Sequence, residues 1–276
     1  QRRHRAKASR EWMRFDVNVD GPFGVAFVGD MHVDDGGTNW ELLDRDLKLL
    51  RDTECLWGVG LGDVANTWDG ILSQRCSPHQ RITRDEAWKL ASWIFKQRKF
   101  DDSPAWLLLL KGNHDMFSEK FGTGDPLDWM TRDAPLEEWQ AKFILRCKNG
   151  LEIPIECAHN FKGHSIWNQL HGNLRRAKFT GMESKLYMSG DRHNWSIFEL
   201  EDELGLGRVS HLARARGYKF IDQYAENLGY GSQRYGATIT AIIDPDQSGP
   251  TQMRLFPDME EAVEFLAWKR ERKGLK

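Results

Sequence analysis

Short apolar runs alternate with amphipathic segments along the first 115 residues of the chain. The runs cover residues 24–28, 56–61 and 105–110, and each is apolar throughout. Such runs predict strands that are covered on both faces of a sheet. Between them, apolar side chains recur at helical spacing, at positions 43, 47 and 50 and again at positions 87, 90, 91 and 94. Strands separated by helices predict an α/β fold.

The two predicted helices begin at capping-box sequences. Residues 38–41 are Thr-Asn-Trp-Glu and residues 83–86 are Thr-Arg-Asp-Glu. In this motif the threonine hydroxyl accepts a hydrogen bond from the backbone N–H three residues on, and the glutamate side chain reaches back. We therefore expect Thr38 and Thr83 to be the N-cap residues.

The second half of the chain has a more mixed pattern. Its strand candidates are residues 151–157, 186–188, 197–200 and 238–243. A final helix is expected from about Asp258, with a buried stripe of Met259, Ala262, Val263 and Leu266. We expect three parts: a basic N-terminal arm (1–18), a main domain with a cap-like segment at 205–236 (19–256), and a C-terminal helix (257–276).

Composition excludes several classes of protein. Because 39 Lys+Arg nearly balance 41 Asp+Glu, the formal net charge is -2, unlike that of a protein that coats nucleic acid by bulk charge. The 12 Trp and 14 Phe argue against an acidic disordered chain. No apolar run approaches the roughly 20 residues of a membrane helix, and the four cysteines are dispersed. We expect a cytoplasmic protein with reduced thiols, no membrane association and no disulfide partner.

The first 14 residues form a basic segment, with six Arg or Lys side chains against the single Glu11. Charge runs are usually solvated, so one interpretation is a tail or the end of a longer chain. The other interpretation is an arm that contacts phosphates. The sequence leaves both open.

Side chains that can bind metals follow the ends of the predicted strands. They are Asp30 and His32, Asp63, Asn113 and His114, His159, and Asp191 and His193. Ligand sites in open α/β sheets lie outside the carboxyl ends of the strands, so we expect these residues to meet in one crevice. Oxygen and nitrogen ligands without thiolates suit Mn, Fe, Zn, Ni or Mg. An extended backbone would point both side chains of each Asp-x-His pair to the same side.

The order of these motifs resembles that of the calcineurin-like metallophosphoesterases. The matching motifs are Gly29-Asp30-Met31-His32, Gly62-Asp63, Gly112-Asn113-His114-Asp115, a later His, and Gly190-Asp191-Arg192-His193. The resemblance covers roughly residues 24–200, and the ordered set is far more specific than any one motif. It implies a two-sheet αββα sandwich with a site for two divalent metal ions at the carboxyl ends of the strands.

The resemblance also implies a role for each residue. The first metal would be held by Asp30, His32 and His193, and the second by Asn113, His159 and Asp191, with Asp63 bridging the two. His114 would lie over the substrate phosphate, stabilising its charge or protonating the leaving group, with Asp115 orienting its ring. Further contacts to the substrate are expected from Arg192, Asn66 and His164.

Several of these assignments have competing interpretations. The Asp and Asn side chains could instead cap helices that follow their strands. His164 and His171 compete with His159, which we prefer because it directly follows an apolar strand. Asp191 stands where the family usually has histidine. It could ligate a metal, which would favour Mn or Mg, or it could hydrogen-bond a ligand or a metal-bound water.

The implied chemistry is hydrolysis of a phosphate ester. Two metal ions would clamp the phosphoryl group, and a hydroxide that they share would attack phosphorus in line. We expect phosphodiester hydrolysis of nucleic acid or a nucleotide, with Mn as the preferred metal. The alternatives are a phosphomonoesterase acting on a small metabolite, and a non-catalytic module that binds nucleic acid or a partner.

Three segments bear on the substrate. Residues 64–68 are Val-Ala-Asn-Thr-Trp and lack the arginine that protein phosphatases of this superfamily carry there. The block at residues 159–172 resembles members encoded by bacteriophages and prophages, often grouped with DNA-repair exonuclease-like phosphoesterases. Residues 208–236 interleave arginines with aromatic side chains, a pattern that suits either single-stranded nucleic acid or the core of a cap.

Overall fold

Two six-stranded sheets form the centre of the fold in the computed structural model, which describes residues 12–68, 80–117, 127, 133–203, 207–219 and 234–275. In chain order the strands are β1 (Met13–Val17), β2 (Phe23–Val28), β3 (Leu56–Gly60), β4 (Trp106–Lys111), β5 (Leu136–Glu138), β6 (Gln140–Cys147), β7 (Glu152–Ala158), β8 (Leu186–Ser189), β9 (Ser196–Glu201), β10 (Val209–Arg214), β11 (Thr238–Ile243) and β12 (Met253–Phe256). The helices are α1 (Trp40–Asp52), α2 (Arg84–Phe95), α3 (Asn113–Phe117), α4 (His171–Phe179) and α5 (Met259–Glu271), with a short 3-10 helix at Gly249–Thr251.

The strand order brings several carboxyl ends to one edge of each sheet. The first sheet has the order β1-β6-β7-β8-β10-β9, and the second has the order β12-β11-β2-β3-β4-β5. Strands β7, β8 and β10 are parallel neighbours in the first sheet. Strands β2 to β5 are parallel in the second sheet, and β11 runs antiparallel to β2. The loops that leave these parallel strands therefore start side by side.

Alternate side chains of β2 pack into different layers. Val25 and Phe27 belong to the core between the sheets, together with Phe143 of the first sheet. Ala26 and Val28 belong to the core under the helices, together with Leu43 of α1. This period of two is the geometry of a strand, and full burial of each large apolar side chain contributes about 1.5–3 kcal/mol.

Helices cover the outer faces of both sheets. Helices α1 and α2 contribute to the core on the second sheet, and α5 packs Leu266 against Ile242 of β11. On the first sheet, Ala177 of α4 packs with Tyr187 of β8 and with Leu212. The layers are therefore helix, sheet, sheet and helix, and the predicted α/β class with a two-sheet αββα sandwich is confirmed.

The two capping predictions have different outcomes. Thr83 caps α2 in a complete capping box with Glu86, as predicted. The prediction for Thr38 is wrong, because the N-cap of α1 is Asn39, whose side chain accepts from the Leu42 backbone N–H at 3.0 Å. The Thr38 hydroxyl instead donates to the carbonyl oxygen of His32 at 2.7 Å. Asn is as good a cap as Thr, so Thr38 is available to fix the loop that carries His32.

Two segment predictions need correction. Residues 1–11 of the arm expected at 1–18 lie outside the described residues. The rest of that segment contains strand β1, and Val17 of this strand is buried between the sheets. The cap-like segment expected at 205–236 contains strand β10, which pairs with both β8 and β9. This part of the segment is a layer of the sandwich rather than a cap. Residues 205–206 and 220–233 lie outside the described residues.

Within the described ranges, the longest helices have 13 residues, and no helix there is long and apolar enough to cross a membrane. Cys55, Cys147 and Cys157 are buried free thiols, and burial raises the pKa of each. The fourth cysteine, Cys76, lies outside the described residues.

Candidate metal centre

The loops after five parallel strands converge where the two sheets meet. Asp30 and Asp63 follow β2 and β3 of the second sheet, and Asn113 follows β4. His159 and Asp191 follow β7 and β8 of the first sheet. Backbone bonds tie these loops together: the N–H of Asp30 donates to Gly62 at 2.9 Å, and the N–H of Gly190 donates to His159 at 2.9 Å. The expected convergence at the carboxyl ends of the strands is therefore seen.

Most of the candidate ligands have a left-handed backbone conformation. The φ angles are 48° at Asp30, 44° at His32, 54° at Asp63, 70° at Asp191 and 48° at His193. The prediction of extended Asp-x-His pairs is therefore wrong, because the chain turns at each Asp and each His. A non-glycine residue held in this region costs about 1–3 kcal/mol, and such residues cluster at functional sites. Five of them around one centre indicate a backbone shaped for binding.

One group of ligand atoms surrounds His159. Its Nε2 lies 3.2 Å from Oδ2 of Asp63, 3.5 Å from Oδ1 of Asp191 and 3.0 Å from Oδ1 of Asn113. Its Nδ1 contacts the carbonyl oxygen of Leu61 at 2.8 Å, which fixes the ring orientation and leaves Nε2 as the ligand nitrogen. Three oxygens and one nitrogen thus converge, and they belong to the residues expected around the second metal.

A second group contains Asp30, His32 and His193, whose ligand atoms all lie within 4.8 Å of one another. The rings of His32 and His193 stack with centroids 5.3 Å apart. Within the described part of the chain, Oδ1 of Asp30 and both ring nitrogens of His32 are buried and have no hydrogen-bond partner. Buried polar atoms are normally paired, so this donor set fits a divalent cation.

Asp30 also belongs to a group with Asp63 and His159. The structure thus places Asp30 in both groups, whereas the resemblance implied that Asp63 is the shared ligand. That Asp63 bridges two metals stays a prediction, as does direct ligation by Asp191. The Asp191 carboxylate also accepts from Asn160 at 2.6 Å and lies 3.2 Å from Nε of Arg192.

The charges in the centre are strongly coupled. Burial opposes the ionised form of Asp63, but the His159 imidazole outweighs it and lowers the pKa of this carboxyl below its usual value. Burial likewise opposes charging of His159, but the Asp63 carboxylate raises the pKa of the ring well above its usual value. Burial raises the pKa of Asp30 and lowers the pKa of His32. Without metal, the Asp63 carboxylate therefore favours the protonated form of His159, and burial favours the neutral form of His32.

His114 lies at the rim of the centre. Its ring centroid is 5.1 Å from that of His32, edge to face, and 4.6 Å from that of Trp68. Its Nδ1 contacts the carbonyl oxygen of Asn66, an acceptor, so the ring carries a proton on Nδ1. Its backbone N–H donates to Oδ1 of Asp63 at 2.9 Å. The side chain is therefore oriented by Asn66 and is separate from the group around His159.

The role expected for Asp115 needs correction. Its Oδ2 accepts from the backbone N–H groups of Asp63 at 2.7 Å and Gly112 at 2.9 Å, and its Oδ1 accepts from Val64 at 3.1 Å. Asp115 thus holds the loops after β3 and β4 together, and the His114 ring donates from Nδ1 to the backbone carbonyl oxygen of Asn66. Burial, with the charge of Asp63, raises the pKa of Asp115 to about 7.

The three expected substrate contacts fall in different places. Asn66 is fully buried and donates from its side chain to Asp35 at 2.8 Å, and its contact with a substrate stays a prediction. Arg192 is exposed beside Asp191. His164 is exposed on the loop after β7. Substrate contact by Arg192 and His164 stays a prediction.

Two residues of the site were missed from sequence. Asn160 donates to Asp191, and its position directly after His159 was the available signal. Arg214, at the end of β10, is only 5% exposed and donates to Asn194 at 3.2 Å. Burial and the positive charge of Arg192 lower the pKa of Arg214 to about 10, whereas the negative charge of Asp191 acts to raise it. The sequence analysis included Arg214 only in the basic and aromatic stretch at 208–236, but Arg214 lies close enough to Asp191 and Asp30 for their charges to affect its pKa.

Comparison with known proteins gives fold-level similarities only. A scan against protein-family models finds no match, and neither does a search of curated proteins. Among solved structures, Vps29 from Chaetomium thermophilum is similar at 11% identity, covering 82% of this chain and 83% of that chain, with a TM-score of 0.44. A metallophosphoesterase from Sphaerobacter thermophilus is similar at 11% identity, covering 92% and 95%, with a TM-score of 0.40. A predicted phosphoesterase from Streptococcus pneumoniae is similar at 11% identity, covering 86% and 99%, with a TM-score of 0.35. These values carry no argument about activity.

Proposed function

We propose that the chain is a two-metal phosphodiesterase that hydrolyses nucleic acid or a nucleotide. The observation that supports it most is the donor set of Asp30 and His32, three buried ligand atoms without a hydrogen-bond partner in the described part of the chain. These atoms lie beside a second convergent group around His159. A buried, unpaired donor set is costly unless it binds something, and a divalent cation would satisfy Oδ1 of Asp30 and one ring nitrogen of His32.

The two groups divide the ligands. Asp30, His32 and His193 would hold one ion, and Asn113, His159 and Asp191 would hold the other, with Asp63 bridging the two. Carboxylate and amide oxygens with a few imidazoles suit Mn best among the metals considered. When bound, two such ions withdraw charge from a phosphoryl group and activate water as the nucleophile.

The other polar side chains act on the substrate itself. His114 donates from Nδ1 to the carbonyl oxygen of Asn66, so a proton carried on Nε2 would be the one passed to the leaving-group oxygen as the ester bond breaks. Arg214 and Arg192 place positive charge beside Asp191. They would pair with phosphate oxygens that the ligands do not engage.

The test is an assay of the Mn-loaded protein with three kinds of substrate: a generic phosphodiester, a generic phosphomonoester, and single- and double-stranded DNA. Asp63→Ala removes a central ligand. Asp44→Ala, an exposed position on α1, is the matched control. Diester or DNA cleavage that is lost only in Asp63→Ala supports the proposal. Turnover of the monoester alone would indicate a phosphomonoesterase, and inactivity with retained DNA binding would indicate a non-catalytic module.

A further inference from the structure

The loop between β7 and α4 exposes two large apolar side chains. Ile166 is 77% exposed and Trp167 is 90% exposed. The loop is nevertheless braced, because the Ser165 hydroxyl accepts from the backbone N–H groups of Trp167 and Asn168, each at 3.2 Å. Phe161 and Leu170 anchor its two ends in the core under α4. Trp167 is therefore held out on a structured turn, and such exposure marks an interaction surface.

The same segment is positively charged. Residues 159–182 contain four Lys or Arg side chains and no Asp or Glu. Arg176 pairs with Glu156 and Lys178 with Glu203. Lys162 and Arg175 are exposed, and Arg175 links loop to helix by donating to the carbonyl oxygen of Lys162 at 3.2 Å. The Arg175 guanidinium also lies over the exposed ring of Phe179, 4.8 Å from its centroid.

This surface starts at the candidate metal centre. His159 is the first residue after β7, and Asn160 donates to Asp191. The next residues, 161–168, include Lys162, His164, Ile166 and Trp167. A polymer with one phosphate in the centre could thus continue along the loop and α4.

We propose that the surface formed by Lys162, Ile166, Trp167, Arg175 and Phe179 binds the unpaired bases and phosphates of a single-stranded nucleic acid. An exposed indole stacks on a base only when the base is not stacked within a duplex, and exposed cations beside it neutralise the backbone. The proposal rests on the proposed function for its link to catalysis. In the stretch expected at 208–236, Arg216 and Tyr218 are buried, and residues 220–233 lie outside the described residues.

Two measurements on the full chain test this surface. The first is the fluorescence anisotropy of a labelled oligothymidine, and of a matched duplex, with EDTA present to prevent cleavage. The second is turnover of a generic small diester with Mn. Trp167→Ala should weaken single-strand binding about tenfold, given the usual contribution of base stacking, and should leave small-diester turnover unchanged. Trp167→Phe should restore most of the binding.

The control is Trp93→Ala, an exposed tryptophan on α2 that is 52% exposed, which should bind strands like the unchanged protein. Arg175→Ala should reduce the slope of log affinity against log salt by about 0.7, the value for one lost phosphate contact on a single strand. Three results would contradict the proposed surface. The first is single-strand binding that is unchanged in Trp167→Ala, and the second is duplex binding as tight as single-strand binding. The third is binding of anionic vesicles without binding of single-stranded nucleic acid.

The two proposals fail separately. If strands bind through Trp167 but no diester is hydrolysed, the surface is supported and the enzymatic function is wrong. If the small diester is hydrolysed but no strand binds, the surface is wrong and the substrate is a small nucleotide or another diester.

Discussion

The imidazole of His159 meets the carboxylate of Asp63 across the two sheets, with Nε2 3.2 Å from Oδ2. His159 follows β7 of the first sheet and Asp63 follows β3 of the second. The candidate centre therefore exists only when the sheets are packed together.

Metal binding should release a proton from His159. The raised pKa of this ring, caused by Asp63 against the effect of burial, means that the metal-free protein binds a proton where a neutral imidazole is needed. Affinity for Mn should therefore rise with pH until the pH passes the pKa of His159. Isothermal titration calorimetry at pH 7 in two buffers of different ionisation enthalpy measures the released proton. A binding enthalpy independent of the buffer would contradict the assignment.

Removing the His114 side chain should slow turnover without removing metal. His114→Ala should lower kcat by about 10²- to 10⁴-fold, the usual range for a proton donor, while metal content stays as in the unchanged protein. The loss should be smallest for a diester whose leaving group is a weak base, because that group needs no proton. Loss of metal in this variant, or an equal loss for all leaving groups, would show that His114 has a different role.

Asp115→Asn should destabilise the fold as well as the site. The amide nitrogen takes the place of one carboxylate oxygen and cannot accept, so the variant loses either the bond from Val64 or the bonds from Asp63 and Gly112. A buried donor left unpaired costs about 1–3 kcal/mol. Denaturant unfolding should show a loss of that size, and Asp44→Asn serves as the exposed control. Unfolding of Asp115→Asn at the control's midpoint would rule out the loop-bracing role.

Arg214 should contribute to substrate binding. Arg214→Met keeps much of the buried volume but removes the charge beside Asp191, so KM should rise about tenfold or more, as for loss of a charged hydrogen bond. Metal content should not change. Arg208→Met, an exposed position just before the same strand, is the control. If both variants have the KM of the unchanged protein, Arg214 is a structural residue.

Sequence analysis predicted strands and helices best where the polarity of the residues and the spacing of the apolar positions indicated the same element. Strand β11 has the predicted bounds, and Thr83 caps α2, because apolar strands and capping boxes are local signals. The order of ligand residues at the strand ends also located the centre. These features depend on neighbours in the chain, or on the rule that parallel strands share an edge.

The wrong predictions concern features that are determined by contacts between distant parts of the chain. Strand β10 was missed because it buries polar side chains that are satisfied only by distant partners, as when Ser210 donates to the Ser184 carbonyl at 2.7 Å. The extended Asp-x-His pairs were wrong because binding geometry, rather than local preference, selects the left-handed backbone at Asp30 and Asp191.

The most direct test of a two-metal centre is the anomalous-difference map of a Mn-soaked crystal, recorded at the Mn absorption edge. The account predicts two peaks about 3.5–4 Å apart, the usual spacing of a two-metal site. One peak should contact Asp30, His32 and His193, and the other should contact Asn113, His159 and Asp191. A map with no peak between these side chains would contradict the metal centre, and a single peak at saturating Mn would contradict its dinuclear form.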